Sequence, residues 1–418
     1  MIALFRASAF PLASFGLTSS WHAAASAPRF PHHATTLSER SFRLSGLAAT
    51  YNAATVSWLK IDVTAAGFFA AAPDTALAAL FVPFESSELH LPANGRALFL
   101  RARAGVRLRE VVQAGWLCEQ SFMPFADELG RNGLHVGEPA VDELFPLVLI
   151  LPPRQRDEAR ALFAYALRHT APGGTVLASM PNAEGAKSGE SDLAKLTGTV
   201  QHLSKHKCRV FWSTPSADEI DQALLAEWLA LDAPRAIVDG YVSRPGLFAW
   251  DRIDRASALL AAYLPDDLHG RVADLGAGYG YLASQVIQRC SNVSAIDLYE
   301  AEARALEPAR INLAKAQHAC GRELTVAVHW HDVTRGLPQR YNAIVSNPPF
   351  HQGRADLPEL GQAFITSAAD ALMPDGRLFI VANRHLPYEA ILTARFRDVR
   401  SMVVQEGFKV IEASGVRQ

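Results

Sequence analysis

An apolar run that ends at two prolines constrains this chain more than any other feature. Residues 341–345 are apolar at almost every position and are followed by Asn347, Pro348, Pro349 and Phe350. A short run of this kind, closed by a chain breaker, is typical of a strand buried on both faces of a parallel sheet. Ligands of open α/β sheets bind at the carboxyl ends of strands. The run therefore predicts an α/β fold with a site at residues 347–350.

The residues after this strand suit the binding of an amino group. Proline at 348 excludes Asn347 from the helical region, and consecutive prolines hold their carbonyl groups in fixed directions. The side-chain oxygen of Asn347 and the carbonyl of Pro348 can each accept one N–H, while Phe350 offers a face for a planar base. The alternative is a strand-end turn in which proline supplies only rigidity.

Composition describes an ordinary globular protein with an unusual beginning. The chain has 418 residues, a formal net charge of −2, 49% hydrophobic and 20% charged residues, which allows two or three domains. Residues 1–60 are rich in Ala, Ser, Phe and Arg, and no acidic residue precedes Glu39. This composition fits a poorly ordered extension or an organellar transit peptide, and we favour the extension.

Cysteine usage and hydropathy bear on the compartment. The four cysteines have no spacing typical of a metal site, so we expect free thiols, no bound metal and a reducing, cytoplasmic location. No run of 18 apolar residues lacks a charge or proline, so no membrane span is expected.

The chain repeats itself in a fixed order. GRALFLRARAG from Gly95 resembles GRVADLGAGYG from Gly270, and FPLVLILPPR from Phe145 resembles YNAIVSNPPF from Tyr341. A third pair is formed by the segments 161–179 and 363–381. Chance could supply one such match, but three in one order indicate a duplicated domain.

The first copy has lost the residues that would serve chemistry. Arg101 and Arg103 stand where the second copy has glycines, and Leu151 stands in place of Asn347. We therefore expect this copy to bind no cofactor and to be catalytically inactive. Several of its arginines are candidates for phosphate contacts, with an ordinary solvated surface as the alternative: Arg96, Arg101, Arg103, Arg107 and Arg109.

The second copy contains a strand that enters a glycine-rich turn. Asp274 precedes Gly276, Gly278 and Gly280, and a helical segment follows. Glycines here allow a cofactor to lie against bare backbone near a helix N-terminus. An acidic residue before the first glycine favours S-adenosylmethionine over a dinucleotide, because the methionine ammonium group needs a nearby acceptor.

Acidic residues also end the next two predicted strands. The strand 293–300 contains Asp297 and ends at Glu300, and one of these carboxylates is expected to bind a ribose diol. We favour Glu300 and keep Asp297 as the alternative. The strand 325–331 is followed by Asp332, which can accept from an adenine amino group or cap a turn.

Together these motifs resemble one enzyme family. The glycine turn, the segment SNPPFHQG, the pair VAN and LPY at 381–388, and GFKV at 407–410 are similar to the ribosomal RNA guanine-N2 methyltransferases, and most similar to the small-subunit enzymes. The likeness covers roughly residues 90–418. Ala277 departs from the cysteine that many members have after the first glycine of this turn.

The resemblance implies a fold and a domain arrangement. The fold is two Rossmann-like methyltransferase domains in tandem, a degenerate one at 61–230 and a catalytic one at 231–418 with a seven-stranded class I sheet. Its last strand is antiparallel, and residues 403–413 are the natural candidate. The segment 245–248 and Asp254 resemble the part of the family that covers the cofactor, with Phe248 as a core aromatic being the competing interpretation.

The resemblance also implies an activity. The expected reaction is transfer of a methyl group from S-adenosylmethionine to N2 of a guanine in small-subunit (16S) ribosomal RNA, by a monomer that acts on ribosomal RNA or the small subunit. Asn347 is expected to adjoin the cofactor as well as the amine. Two alternatives remain, methylation of another amide or amine nitrogen (adenine N6 or glutamine N5), or a non-catalytic RNA-binding assembly factor.

Overall fold

The computed structural model of this chain describes residues 74–349, 351–352, 355–356 and 358–417. All of these residues belong to one compact unit, Ile61–Gln418. The predicted extension at 1–60 and Phe350 lie outside the described residues.

Helices and strands alternate along most of the described part. The helices are α1 (Thr75–Leu80), α2 (Val82–Glu85), α3 (Val106–Val111), α4 (Met123–Arg131), α5 (Arg156–Arg168), α6 (Ala186–Thr197), α7 (Gln222–Leu229), α8 (Arg255–Tyr263), α9 (Tyr281–Arg289), α10 (Leu306–Cys320), α11 (Pro358–Ala371) and α12 (Glu389–Arg395). The strands are β1 (Arg96–Leu100), β2 (Gly115–Glu119), β3 (Phe145–Ile150), β4 (Thr170–Pro181), β5 (Gln201–Lys205), β6 (Cys208–Ser213), β7 (Arg235–Ala236), β8 (Val242–Ser243), β9 (His269–Leu275), β10 (Asn292–Glu300), β11 (Thr325–Trp330), β12 (Tyr341–Ser346), β13 (His351–Gln352), β14 (Ala355–Asp356), β15 (Leu372–Asn383), β16 (Phe396–Gln405) and β17 (Phe408–Val416).

Two large sheets confirm the predicted tandem α/β fold. The first has the strand order β2-β1-β3-β4-β6-β5 and the second has the order β11-β10-β9-β12-β15-β17-β16. In each, the early strands are parallel and one later strand is antiparallel: β6 pairs antiparallel with β4, and β17 with β15. At the edge that β11 occupies in the second sheet, the first has an isolated parallel bridge between Cys118 and Val136.

The same hairpin closes both sheets. His206 and Lys207 join β5 to β6, and Glu406 and Gly407 join β16 to β17, all four with φ between 52° and 83°. Two-residue turns with positive φ match the twist of a hairpin. The predicted last strand at 403–413 is therefore wrong in its bounds, since it spans the end of β16, this turn and the start of β17.

Helices cover both faces of the second, seven-stranded sheet. Ile344 packs with the cluster on one face, whereas Ala343 and Val345 pack with the cluster on the other. Alternate side chains of a strand point to opposite faces, so residues 343–345 are apolar at each position. Complete burial of each Ile or Val stabilises the fold by roughly 1.5–3 kcal/mol.

Candidate active site

The carboxyl ends of four neighbouring strands, β9 to β12, surround a cavity of about 370 Å³. Because the strands are parallel there, their last residues and the loops after them meet at one edge of the sheet. The cavity is lined from the catalytic half by Phe248, Gly276, Gly278, Tyr299, Glu300, Ala301, His331, Asp332, Val333, Asn347, Pro348, Pro349, Leu360 and Phe364. Two further lining residues, Phe122 and Pro124, come from the first half.

Strand register places Asn347 beside the glycine turn. Ser346 lies opposite Leu275 in the pairing of β12 with β9, and its hydroxyl donates to the carbonyl of Leu275 at 2.8 Å. The next residues on the two strands, Asn347 and Gly276, therefore leave the sheet at the same level and both line the cavity.

Two hydrogen bonds fix the orientation of the Asn347 amide. Its Nδ2 donates to Oδ2 of Asp254 at 3.0 Å and to the hydroxyl of Ser257 at 2.8 Å. An ionised carboxylate only accepts, so the amide nitrogen, not the oxygen, must face Asp254. Oδ1 of Asn347 is buried and has no hydrogen-bond partner among the described residues. Asn347, which lines the cavity together with Pro348 and Pro349, therefore keeps a side-chain oxygen that no described residue uses as an acceptor.

Left-handed backbone in the glycine turn leaves space for a ligand. Gly276, Gly278 and Gly280 have φ of 69°, 53° and 82°, where side chains are disfavoured. A Cβ at Gly276 would lie 3.2 Å from the ring of Phe364, whereas one at Gly278 would meet no atom of the described residues within 4 Å. The turn thus presents bare backbone to the cavity at Gly276 and Gly278, whereas Gly280 is not a lining residue.

Glu300 lies at the cavity at the end of β10. Its Oε2 accepts from the backbone N–H of Gly278 at 2.7 Å and its Oε1 from that of Glu302 at 2.8 Å. Burial raises the pKa of this carboxyl, while the same backbone donors lower it. Each carboxylate oxygen has a further lone pair, so Glu300 can still accept from two adjacent hydroxyls.

Asp297, the alternative to Glu300, does not lie at the cavity. It sits within β10, accepts from Arg271 at 2.6 Å and lies 3.1 Å from Nε2 of His329. Both oxygens are therefore engaged on the sheet, three residues before the strand ends. The structure thus places the favoured carboxylate of the pair at the site and gives Asp297 a structural ion pair.

Two other carboxylates carry an unpartnered oxygen. Asp332 follows β11 and uses Oδ1 for the backbone and hydroxyl of Thr334, at 3.0 and 2.7 Å. Asp274 is fully buried and uses Oδ2 for the N–H of Ala283 at 3.0 Å, and burial raises its pKa to about 7. Oδ2 of Asp332 and Oδ1 of Asp274 are buried without a partner among the described residues. Asp332 lines the cavity, whereas Asp274 lies behind the turn.

The segment that precedes α8 contributes Phe248 to the cavity lining. Phe248 lines the cavity and 67% of its surface is exposed, so the interpretation as a core aromatic is wrong. Asp254 caps α8 by accepting from the N–H of Ser257 at 2.8 Å, in addition to holding Asn347. The sequence singled out Asp254 by resemblance but gave no sign of its contact with Asn347.

The arginines of the first copy have partners within the protein. Arg101, at the position of Gly276, bonds to Glu158 at 2.6 Å, and Arg103 bonds to Asp74 at 3.0 Å. Arg96 and Arg107 also pair with carboxylates, and Arg109 bonds to an asparagine side chain. These bonds favour a structural role over phosphate contacts.

The described ranges contain neither a metal-binding cluster nor a membrane-spanning helix. Among those residues, no group of three His, Cys, Asp or Glu side chains is placed to hold a metal ion. Likewise, no helix that the structure describes is long and apolar enough to cross a membrane.

Comparison with known proteins agrees with this geometry. Residues 240–412 match the family described as Methyltransferase small domain. The chain is 29% identical over 318 residues to ribosomal RNA small subunit methyltransferase C of Psychromonas ingrahamii, covering 73% of this chain and 87% of that protein. It is 28% identical over 276 residues to the protein of that name from Shewanella baltica, covering 65% of this chain and 77% of that one.

A solved structure shares the whole tandem architecture. The T. thermophilus 16S rRNA N2 G1207 methyltransferase (RsmC), in complex with AdoMet and guanosine, superposes with a TM-score of 0.65 at 22% identity. The superposition covers 82% of this chain and 92% of that one. The likeness therefore extends over both sheets.

Proposed function

We propose that this chain, an RsmC-like class I methyltransferase, transfers a methyl group from S-adenosylmethionine to the exocyclic N2 of a guanine in small-subunit (16S) ribosomal RNA. One observation carries the proposal: the amide of Asn347, a lining residue of the cavity, is anchored through its nitrogen, which leaves its buried oxygen without a partner among the described residues. The names of the relatives support guanine N2 and small-subunit RNA as the acceptor.

The residues at the cavity fit the proposed cofactor. Gly276 and Gly278 offer bare backbone, with Gly280 completing the turn, and Glu300 has lone pairs for a ribose diol. The free oxygen of Asp332 suits an exocyclic amine of a purine, and that of Asp274 supplies negative charge behind the turn. When bound, S-adenosylmethionine supplies a methyl group made electrophilic by its sulfonium.

The protein contributes positioning to the reaction. Oδ1 of Asn347 and the carbonyl of Pro348 accept the two N–H groups of the amine, which directs its lone pair away from them and toward the methyl carbon. As the new N–C bond forms, positive charge develops on the amine, and these fixed acceptors stabilise it without reorganising. No strong general base is required, since the extra proton leaves to solvent after transfer.

The substrate base must leave its stack to reach this site. Its exocyclic amine lies at a base edge, while the acceptors belong to residues that line a cavity together with Phe248 and Phe364. Enzymes that act on bases take them out of the helix into such a pocket. We assign Phe350 to stacking of the target base and Pro349 to rigidity of the strand end. We also propose that the chain is a cytoplasmic monomer.

Labelling of candidate acceptors tests this proposal. The protein is incubated with methyl-labelled S-adenosylmethionine and, separately, unmodified small subunits, ribosomal RNA, DNA and a peptide release factor. The proposal predicts label in the RNA of the small-subunit sample. Label in the DNA or the release factor would assign the site to adenine or glutamine instead. A chain that binds no S-adenosylhomocysteine and labels no acceptor would be an RNA-binding protein that retains only the fold.

A further inference from the structure

We propose that the first, catalytically inactive half completes the cofactor site, with Phe122 and Pro124 forming the wall against the nucleoside part of S-adenosylmethionine. This inference rests on the proposed function and assigns a positioning role to a half that has lost its own glycine turn. Both residues line the cavity, although they precede the catalytic sheet by more than 100 residues in the sequence.

Backbone pairing joins Phe122 to the loop that follows Glu300. The N–H of Met123 donates to the carbonyl of Ala301 at 2.8 Å, and the N–H of Ala303 donates to the carbonyl of Ser121 at 2.9 Å. These bonds make an antiparallel bridge between Phe122 and Glu302. These two backbone bonds, one on each side of Phe122, set the distance of this wall from Glu300, the proposed ribose acceptor.

The ring of Phe122 is held within its own half as well. Its backbone N–H donates to the side-chain oxygen of Gln120 at 2.9 Å, and the Gln120 amide donates to the carbonyl of Ala102 at 2.7 Å. The ring contacts that of Phe125, with centroids 5.3 Å apart and planes at 66°. An aromatic wall fixed in this way suits a planar base, whose stacking on a ring is tolerant of base identity.

A largely buried arginine, Arg304, ties the same loop to the first half through Glu158, and we call this contact the clamp. Arg304, with 15% of its side chain exposed, donates to Glu158 at 2.6 Å, to Asp232 at 2.6 Å and to the carbonyl of Pro245 at 2.7 Å. Glu158 belongs to the first half and also binds Arg101. Glu158 thus links Arg304, four residues after Glu300, to Arg101, which follows β1 at the position of the lost glycine turn.

These contacts lie near the residues that are proposed to bind the nucleoside part of the cofactor. Phe122 pairs beside Glu300, the proposed ribose acceptor, and Asp127 of α4 forms an ion pair with Arg335, three residues after Asp332. Both links therefore lie on the ribose and adenine side, away from the turn at Asp274. The first half should affect binding of the nucleoside and leave the amino-acid part unaffected.

Two ligands and three variants test the wall. Dissociation constants for S-adenosylhomocysteine and for 5′-methylthioadenosine, which lacks the amino-acid part, are measured by calorimetry on the full chain. Phe122→Ala should weaken both by the same factor, roughly tenfold, whereas Phe122→Tyr should retain affinity. Phe84→Ala removes a half-buried ring of the same half that packs on Phe81 and is not a lining residue of the cavity, so it should change neither constant.

A second pair of variants tests the clamp. Glu158→Gln should raise both dissociation constants by a smaller factor than Phe122→Ala, because it loosens the loop without removing a contact to the ligand. Asp192→Asn is the control, since Asp192 is a buried, ion-paired carboxylate of the same half whose partners, Arg156, Arg160 and Lys195, belong to that half.

The outcomes separate this inference from the proposed function. If the wild type binds S-adenosylhomocysteine but Phe122→Ala binds both ligands unchanged, the wall is not part of the cofactor site and the inference is wrong. A rise in the KM for RNA alone would also overturn it, by moving Phe122 to the substrate side. If the wild type binds neither ligand, the proposed function fails, and the inference fails with it.

Discussion

Replacement of Asn347 by alanine removes the acceptor on which the proposed reaction depends. Its buried Oδ1 has no partner within the part of the chain that the structure describes, so it is assigned to an amine N–H, and loss of such a preorganised group raises a barrier by about 2 to 4 kcal/mol. The rate of methyl transfer should fall by roughly 30- to 1000-fold. The two bonds lost from Nδ2 should also lower the free energy of unfolding by about 2 kcal/mol.

Single-turnover methyl transfer to small subunits, with cofactor and enzyme saturating, isolates the chemical step. Asn312→Ala serves as the control, because Asn312 is also buried and donates two hydrogen bonds through Nδ2, to the carbonyls of Val242 and Tyr279, but does not line the cavity. We expect it to lose stability and to keep its transfer rate. A folded Asn347→Ala variant that transfers methyl groups at the wild-type rate would refute the assigned role of Asn347.

Further predictions concern the support of Asn347, the glycine turn, the pH response and the number of sites. Asp254→Ala should lower the free energy of unfolding by about 1 kcal/mol through loss of a helix cap and should also slow methyl transfer. Asp221→Ala, which removes the cap of α7, should lower stability alone. Denaturation and single-turnover rates check both variants, and equal transfer rates would contradict the link between Asp254 and Asn347. Gly276→Ala should weaken S-adenosylhomocysteine binding by about tenfold or more in calorimetry, because this position has φ of 69° and a Cβ would lie 3.2 Å from the ring of Phe364. Unchanged affinity would place the ligand elsewhere. Burial raises the pKa of Asp274 to about 7, so a cationic group bound near it favours the ionised form. Affinity should therefore increase by up to about tenfold in total between about pH 6 and about pH 7.5 and level off above this range, where the carboxyl is fully ionised; a flat profile would contradict this. Calorimetry should give one cofactor per chain, and a stoichiometry of two would refute the inactive first copy.

Strands buried on both faces could be located from the sequence because their apolar runs are short and closed by breakers. The run before Asn347 is β12, and the strands at 293–300 and 325–331 match β10 and β11 to within a residue. The predicted last strand at 403–413 had wrong bounds because β16 is an edge strand with mixed polarity, which gives no clear apolar run. The turn between β16 and β17 has two residues and offers Gly407 as its main breaker. The duplication was visible because both copies keep the order of their strands.

The site was only partly predictable because some of it comes from distant parts of the chain. Asn347, Glu300 and Asp332 follow strands of one sheet, and parallel strands bring their ends together. Phe122 and Pro124 reach the cavity through pairing with the loop at 301–303, and no local pattern in the sequence marks such a contact. Asp297 and Glu300 could not be separated by spacing, since only the position of the strand end decides which of them faces the cavity.

Identification of the methylated atom tests the proposed activity most directly. Small-subunit RNA labelled by the protein is digested to nucleosides, and the product is identified by chromatography and mass spectrometry against standards. The proposed chemistry predicts that the label is recovered as N2-methylguanosine from the wild-type reaction and is strongly reduced with Asn347→Ala. Recovery of the label as N6-methyladenosine, or as a guanosine methylated at a ring nitrogen, would contradict it.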